Sequence, residues 1–324
     1  MRKLTTGKFR GLQQTATKRG AISVLALDHR NNLRASLAPH DPKSVTDADM
    51  YKFKNEVVGS IAKASSAVLL DPEYGLANCI SSGSLPGHVG LIATLDQTGY
   101  AGNVHARLSQ VLPDWGVAKA RRMGANAVKL LVYYHPDAST ASEIEKLVAK
   151  VAEECRKEDI TFYLETLSYS LSSSTNKLLP DERKRVVIET ARRLTPLGAD
   201  VLKAEFPMDI SSEVNEASWG KACAELSLAS CIPWVLLSAS VGFEIFLRQT
   251  TIACQEGATG VAVGRGVWQE ASTMTGEARE NYLQSKALER MERVTAVCNA
   301  LAKPWTDFYA LPKPTADWYK EYAE

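Results

Sequence analysis

No hydrophobic segment of the chain approaches the roughly 20 residues that a membrane-spanning helix needs, so a membrane partner is not expected. Neither sign of charge dominates. The 38 Lys and Arg against 37 Asp and Glu leave a formal net charge of +1, without the global field expected of a nucleic-acid binder. Cysteine is sparse: six in 324 residues, none in a CxxC pair, a usage that fits a reducing cytoplasm and no disulfide framework. Histidine is sparse too, and the five present show neither HxH nor HExxH spacing. His29 and His135 therefore read as hydrogen-bonding loop residues, and a metal-dependent enzyme is disfavoured. The basic start, MRKLTTGKFRGLQQ, is followed by no apolar core and does not read as a secretory signal. Low-complexity linkers are absent, so one domain over residues 1–324 is expected.

What the chain does have is a 45% hydrophobic fraction, enough for a substantial core, and that fraction is organised. Eight short apolar segments recur: AISVLALDH (21–29), SAVLLDP (66–72), VGLIATLD (89–96), NAVKLLVYY (126–134), ITFYLETLSY (160–169), DVLKAEFP (200–207), IPWVLLSAS (232–240) and GVAVGRGVW (260–268). Near-continuous apolar runs of this length suit parallel strands covered on both faces. Stretches with helical periodicity separate most of them, such as STASEIEKLVAKVAEECRKE and DERKRVVIETARRLTPLG. Only the link between the second and third segments lacks a convincing helix.

Eight strands alternating with helices predict an α/β fold of the (β/α)8 TIM-barrel type. An open doubly wound sheet is the alternative, because counting strands does not show closure. The barrel core is placed at about 21–272. The first 20 residues and the segment 273–324, with its aromatic tail, are read as helical extensions. That tail could pack on its own barrel or make a homo-oligomer interface.

Several strands carry charge where a core residue belongs. Side chains alternate between strand faces, so Val201, Lys203 and Glu205 share one face, Ala127, Lys129, Leu131 and Tyr133 another, and Tyr163 shares one with Glu165. Ala26, Asp28 and Arg30 form a fourth such set. In a barrel the active site is built at the C-terminal ends of the strands. One reading is a structural layer of ion pairs; converging there, however, these groups favour chemistry. A desolvated lysine beside a second cation releases its proton more easily, and a neutral amine attacks a ketone or aldehyde to give an iminium ion. Lys203 is the candidate nucleophile, Lys129 the neighbouring cation and Glu165 the proton shuttle. Glu205 is expected as the electrostatic neighbour of Lys203. The glycines and Arg265 of GVAVGRGVW, after the LLSAS segment, predict an anion site.

These strings resemble the class I tagatose-1,6-bisphosphate aldolases, a family that includes sulfofructose-phosphate aldolases. The resemblance rests on ALDHRNNLR (26–34), LLDPEYGL (69–76), TGY (98–100) with RL (107–108), VKLLVYY (128–134), FYLETLSY (162–169), DVLKAEFP, PWVLLSASV (233–241), GVAVGRGVW and the late AKPWTDF. It spans nearly the whole chain.

The resemblance implies a metal-independent, cofactor-free barrel aldolase with a small sugar phosphate as its partner. Lys203 would form the Schiff base, Glu165 would move protons, and Lys129 and Asp28 would surround the reacting carbons. Ser238, Gly264 and Arg265 would hold the phosphate next to the carbonyl, while Arg30 would approach the distal anion. Two departures bear on specificity. The chain has Asp28-His29-Arg30 where relatives read Asp-Gln-Arg, which bears on the distal contact. It also has Ser238-Ala239-Ser240 where they read Ser-Ala-Gly or Ser-Ser-Gly, which gives Ser240 a hydroxyl beside the phosphate. Asp96 stands where some relatives carry Glu. Tagatose or fructose 1,6-bisphosphate and 6-deoxy-6-sulfofructose 1-phosphate remain competing substrates, and a non-catalytic sugar-phosphate binding protein is the reading from another class.

Overall fold

The computed structural model describes residues 2–173, 177–239, 241–320 and 322. All eight predicted segments form parallel strands: β1 (Ile22–Leu27), β2 (Ala67–Leu70), β3 (Gly90–Thr94), β4 (Ala127–Tyr133), β5 (Thr161–Leu167), β6 (Val201–Ala204), β7 (Trp234–Leu237) and β8 (Gly260–Val263). Each pairs with its neighbour in sequence, and β8 pairs with β1, so the sheet closes into a barrel. The doubly wound alternative is thereby excluded. At the closing seam Gly260 lies opposite Ile22 with φ +140°, and a Cβ there would run into the Ile22 carbonyl. Only glycine combines that backbone angle with so close an approach.

Eight helices cover the barrel: α1 (Asp47–Ile61), α2 (Leu76–Ser81), α3 (Val117–Arg122), α4 (Ala141–Lys157), α5 (Pro180–Leu194), α6 (Glu216–Ala229), α7 (Phe243–Gln255) and α8 (Leu288–Leu301). Local signals account for several. Thr46 and Asp49 form a reciprocal capping box that starts α1. In α4 the buried Ile144, Val148, Val151 and Cys155 recur at helical spacing and make its inner stripe. The link after β2 does contain a helix, but the six residues of α2 are too few to show periodicity. Between β3 and α3 an antiparallel hairpin, Ala101–Asn103 with Ala106–Leu108, rises beside the barrel mouth.

The barrel boundary expected near residue 272 moves. Helix α8 packs against α7, α1 and β1, and Thr295 Oγ1 lies 2.8 Å from Ser23 Oγ and donates to the Ala64 carbonyl. It therefore fills the eighth helical place of the ring rather than an appendage outside it. What misleads the sequence reading is the long link after β8, occupied by short helical turns.

The barrel interior is apolar below and charged above. Val24, Ala26, Leu69, Ile92, Ala127, Tyr163, Val201, Val235 and Ala262 make one cluster with Phe9 and Leu12 of the N-terminal helix (Thr6–Thr15) and with Trp305 and Tyr309. The N-terminal helix thus closes the floor. Lys8 pairs with the buried Asp200 at 2.8 Å, Thr15 Oγ1 meets Tyr163 Oη at 2.8 Å, and the Tyr309 hydroxyl donates to the Asp200 carbonyl. Of the aromatic tail, Trp305 and Tyr309 are buried in this floor and Tyr322 donates to Asp159, while Trp318 and Tyr319 are exposed.

Candidate active site

The strand ends above the apolar layer bring Asp28, Lys129, Glu165 and Lys203 together, all inward-facing as the alternation requires. Lys203 Nζ lies 2.8 Å from Glu165 Oε1, and Lys129 Nζ lies 2.9 Å from Glu165 Oε2. The three N–H groups of Lys129 are directed to Asp28 Oδ2 (2.8 Å), Asp96 Oδ1 (3.0 Å) and Thr94 Oγ1 (3.2 Å). Glu165 Oε2 is therefore held by charge without a hydrogen bond. The cluster alternates in sign, which is how several buried charges coexist.

Its electrostatics follow. Burial disfavours the Lys129 ammonium, but Asp28, Asp96 and Glu165 outweigh it and raise its pKa well above the usual lysine value. Lys129 is thus a fixed cation. Burial likewise opposes charge on Glu165 and Asp28. The lysines overcome it in both, with His29 adding to the effect on Asp28, and each carboxyl titrates below its ordinary range. Both are carboxylates in the free site, and Glu165 Oε1 lies within hydrogen-bond reach of Lys203 Nζ.

Two arginines mark the ends of the pocket. Arg265 lines it with Ser238, Ala239 and Gly264, and its guanidinium has no hydrogen bond or ion pair among the described residues. Gly264 N donates to Ser238 Oγ at 3.5 Å. A Cβ on Gly264 would stand 2.8 Å from the Ala26 carbonyl and 3.0 Å from His29 Cε1, so only glycine leaves this corner open. Ala239 holds a left-handed backbone, φ +41°, which is strained for a residue with a Cβ. Ser240 lies outside the described residues. Arg30, by contrast, is already paired: Nη1 donates to Glu73 Oε2 at 2.7 Å, and Nη2 to the Asp96 carbonyl at 2.7 Å and to Asp96 Oδ2 at 3.3 Å. Asn31, Asn32, Gln97, Thr98 and Tyr133 line the pocket on that side. Behind Tyr133, Arg107 packs against the rings of Tyr100, Tyr133 and Tyr169, fixing the hairpin at the rim.

One expectation is corrected, and His29, which lines the pocket, sits on its Gly264 side. Glu205 is not the partner of Lys203: its carboxylate accepts from Ser168 N at 2.7 Å and from the Ser168 hydroxyl, and pairs with Arg183 at 3.3 Å. Glu165, on the adjacent strand in register with Lys203, takes that place, because the cross-strand neighbour is nearer than the residue two further along. His29 does not join Arg30. Its ring stands beside Gly264 and edge-on to Trp268, with centroids 5.2 Å apart. Burial, with Arg265, Lys54 and Lys203, pushes its pKa down to about 3 against the opposing pull of Asp28, so the imidazole is neutral at pH 7. Its Nδ1 has no hydrogen-bond partner among the described residues. Thr94 and Glu73 are contributions that strand patterning does not reveal. Threonine is an ordinary strand residue, and Glu73 sits in a loop. Among the described residues no three His, Cys, Asp or Glu side chains group as a metal would require.

Residues 22–270 match the DeoC/LacD family aldolase profile. The tagatose 1,6-diphosphate aldolase of Lactococcus lactis subsp. lactis is 32% identical, over 94% of this chain and 99% of its own. Tagatose 1,6-diphosphate aldolase 2 of Streptococcus mutans is 30% identical, over 94% and 98%. Among solved structures, an archaeal fructose 1,6-bisphosphate aldolase superposes with a TM-score of 0.61 at 20% identity, over 90% of this chain and 98% of that one. Fructose-bisphosphate aldolase from Plasmodium falciparum gives 0.71 at 13% identity, over 93% and 98%. A closed eight-stranded barrel, a full-length match to curated aldolases and a family profile spanning every barrel strand agree: the chain belongs to the DeoC/LacD family of aldolases.

Proposed function

We propose that the enzyme is a Schiff-base aldolase that cleaves a ketose 1-phosphate with an anionic group at C6, tagatose or fructose 1,6-bisphosphate, reversibly to dihydroxyacetone phosphate and glyceraldehyde 3-phosphate. The observation that carries this reading is the 2.8 Å contact between Lys203 and Glu165 at the barrel mouth. Glu165 takes a proton from the Lys203 ammonium, and the freed amine adds to C2. Protonated by Glu165, the carbinolamine hydroxyl leaves as water and an iminium forms. Glu165, a carboxylate again, takes the C4 hydroxyl proton; the C3–C4 bond breaks, its electron pair moves through the new C2–C3 double bond to the iminium nitrogen, and the aldehyde departs. Protonation of the enamine at C3 and hydrolysis return Lys203 and release dihydroxyacetone phosphate. Lys129 and Asp28 steady the charges around these carbons, and the unpaired Arg265, with Ser238 and Gly264, suits the C1 phosphate.

Borohydride reduction in the presence of dihydroxyacetone phosphate tests it. A covalent adduct on the peptide containing Lys203 is expected, and Lys203→Met loses both adduct and turnover while keeping the fold. Ordinary turnover by that variant, or an adduct on another lysine, sinks the assignment; a binding protein would give no adduct at all.

A second substrate, 6-deoxy-6-sulfofructose 1-phosphate, is favoured by one observation. Arg30 already bonds two acidic residues, Glu73 and Asp96, which leaves it little surplus charge for a phosphate. A sulfonate brings one negative charge where a phosphate brings about 1.5 to 2. Comparing kcat/KM on the three sugars separates the readings: the first expects a bisphosphate to lead, and a lead for the sulfonate overturns it.

A further inference from the structure

We propose that Lys54 is a positioning residue for this site, a buried ammonium on α1 that sets both the strand end carrying Asp28 and the loop carrying Glu73. The proposal rests on the Schiff-base reading of Lys203. Lys54 is completely buried and is not itself one of the residues that line the pocket. Its ammonium donates to the Leu27 carbonyl at 2.6 Å, to the His29 carbonyl at 2.9 Å and to Asp71 Oδ1 at 2.5 Å. All three N–H groups are used, and two of them grip the backbone immediately before and after Asp28.

The third bond organises the other side. Asp71, also completely buried, follows β2 and accepts from Tyr74 N through Oδ2 at 2.7 Å, while its carbonyl accepts from Gly75 N and Leu76 N. The loop is thereby folded back on Asp71, with Glu73 against Arg30. One ammonium consequently links the strand end that carries Asp28 into the pocket with the loop whose Glu73 pairs with Arg30. Asp28 sits 2.8 Å from Lys129, and a displacement of about 1 Å in such a contact is enough to cost on the order of a hundredfold in rate. Glu165 and Lys203 lie on β5 and β6 and are touched by neither Lys54 nor Asp71; Glu165 meets the Asp28 side of the site only through Lys129.

The proposal predicts a split between two readouts in Lys54→Met: borohydride trapping with dihydroxyacetone phosphate is retained, whereas kcat for cleavage falls roughly ten- to a hundredfold. Because removing one member of a buried pair endangers folding, the double variant Lys54→Met/Asp71→Leu is made alongside; it removes both charges together. The double variant is expected to fold and to show the same split, since the carbonyls flanking Asp28 lose their donor in either case. A folded variant with wild-type kcat overturns the proposal, as does a parallel loss of trapping and turnover, or the failure of both variants to fold. Wild type and Lys203→Met are run in the same experiment. If wild type gives no adduct, the Schiff-base reading fails; if it does and the Lys54 variants match it, only the positioning role fails.

Discussion

Glu165 sits between two lysines, and its ionised form lets both ammonium groups remain close in a buried site. His29 shows the complementary case, a base kept neutral by its surroundings. An unfolded histidine protonates near pH 6.5, whereas His29 in the fold resists protonation down to about pH 3. Between those values the unfolded chain binds a proton that the folded chain refuses. The stability this residue contributes is complete above about pH 6.5 and is lost as pH falls, by up to about 1.4 kcal/mol per pH unit. His135 is shifted the same way, and Asp28 and Glu165 add to the loss at lower pH. Urea midpoints measured from pH 4 to 7 are expected to fall with acid, and His29→Gln to flatten that slope without abolishing it. An unchanged slope would mean that the imidazole is not held neutral.

At this scale the sequence is legible where charge interrupts an apolar strand. Lys129, Glu165 and Lys203 stand out for that reason, and the structure brings all three together. Lys54 carries an equivalent signal that strand reading overlooks: it lies in the buried stripe of α1, with Met50, Phe53, Val57, Val58 and Ile61. Glu205 misleads because alternation reports the face of a strand but not which side chain on the next strand is nearer.

Among the elements, the strands are the most readable, since parallel strands covered on both faces need the continuous apolar runs found here. The hairpin at 101–108 escapes because its three-residue strands are too short to show alternation, and it is anchored by the packing of the buried Arg107 on Tyr133 and Tyr169, distant in sequence. Helix α8 is misread for the length of the link before it. The floor depends on contacts between elements far apart in the chain, and Trp305 is its centre: 3% exposed, edge-on to Phe9 at 4.8 Å, with its N–H bonded to the Gly20 carbonyl. Trp305→Ala is expected to cost about 3–5 kcal/mol in urea unfolding. The kcat of the remaining folded enzyme should be unchanged, because the floor and the mouth are opposite ends of the barrel. A fall in kcat without a fall in stability would contradict that separation.

For the whole molecule, stability and reactivity are divided along the barrel axis. Apolar packing and the Lys8–Asp200 pair hold one end, while strained or unpaired groups, Ala239 and Arg265 among them, gather at the other. The pairing of Arg2–Lys3 with Tyr309–Ala310 belongs to the first end. This strand pair therefore lies beneath the floor, at the end of the barrel away from the pocket. A surface tether attached through an exposed residue of this strand pair, such as Lys3, is expected to hold the enzyme by its closed end, with the entrance facing the solution.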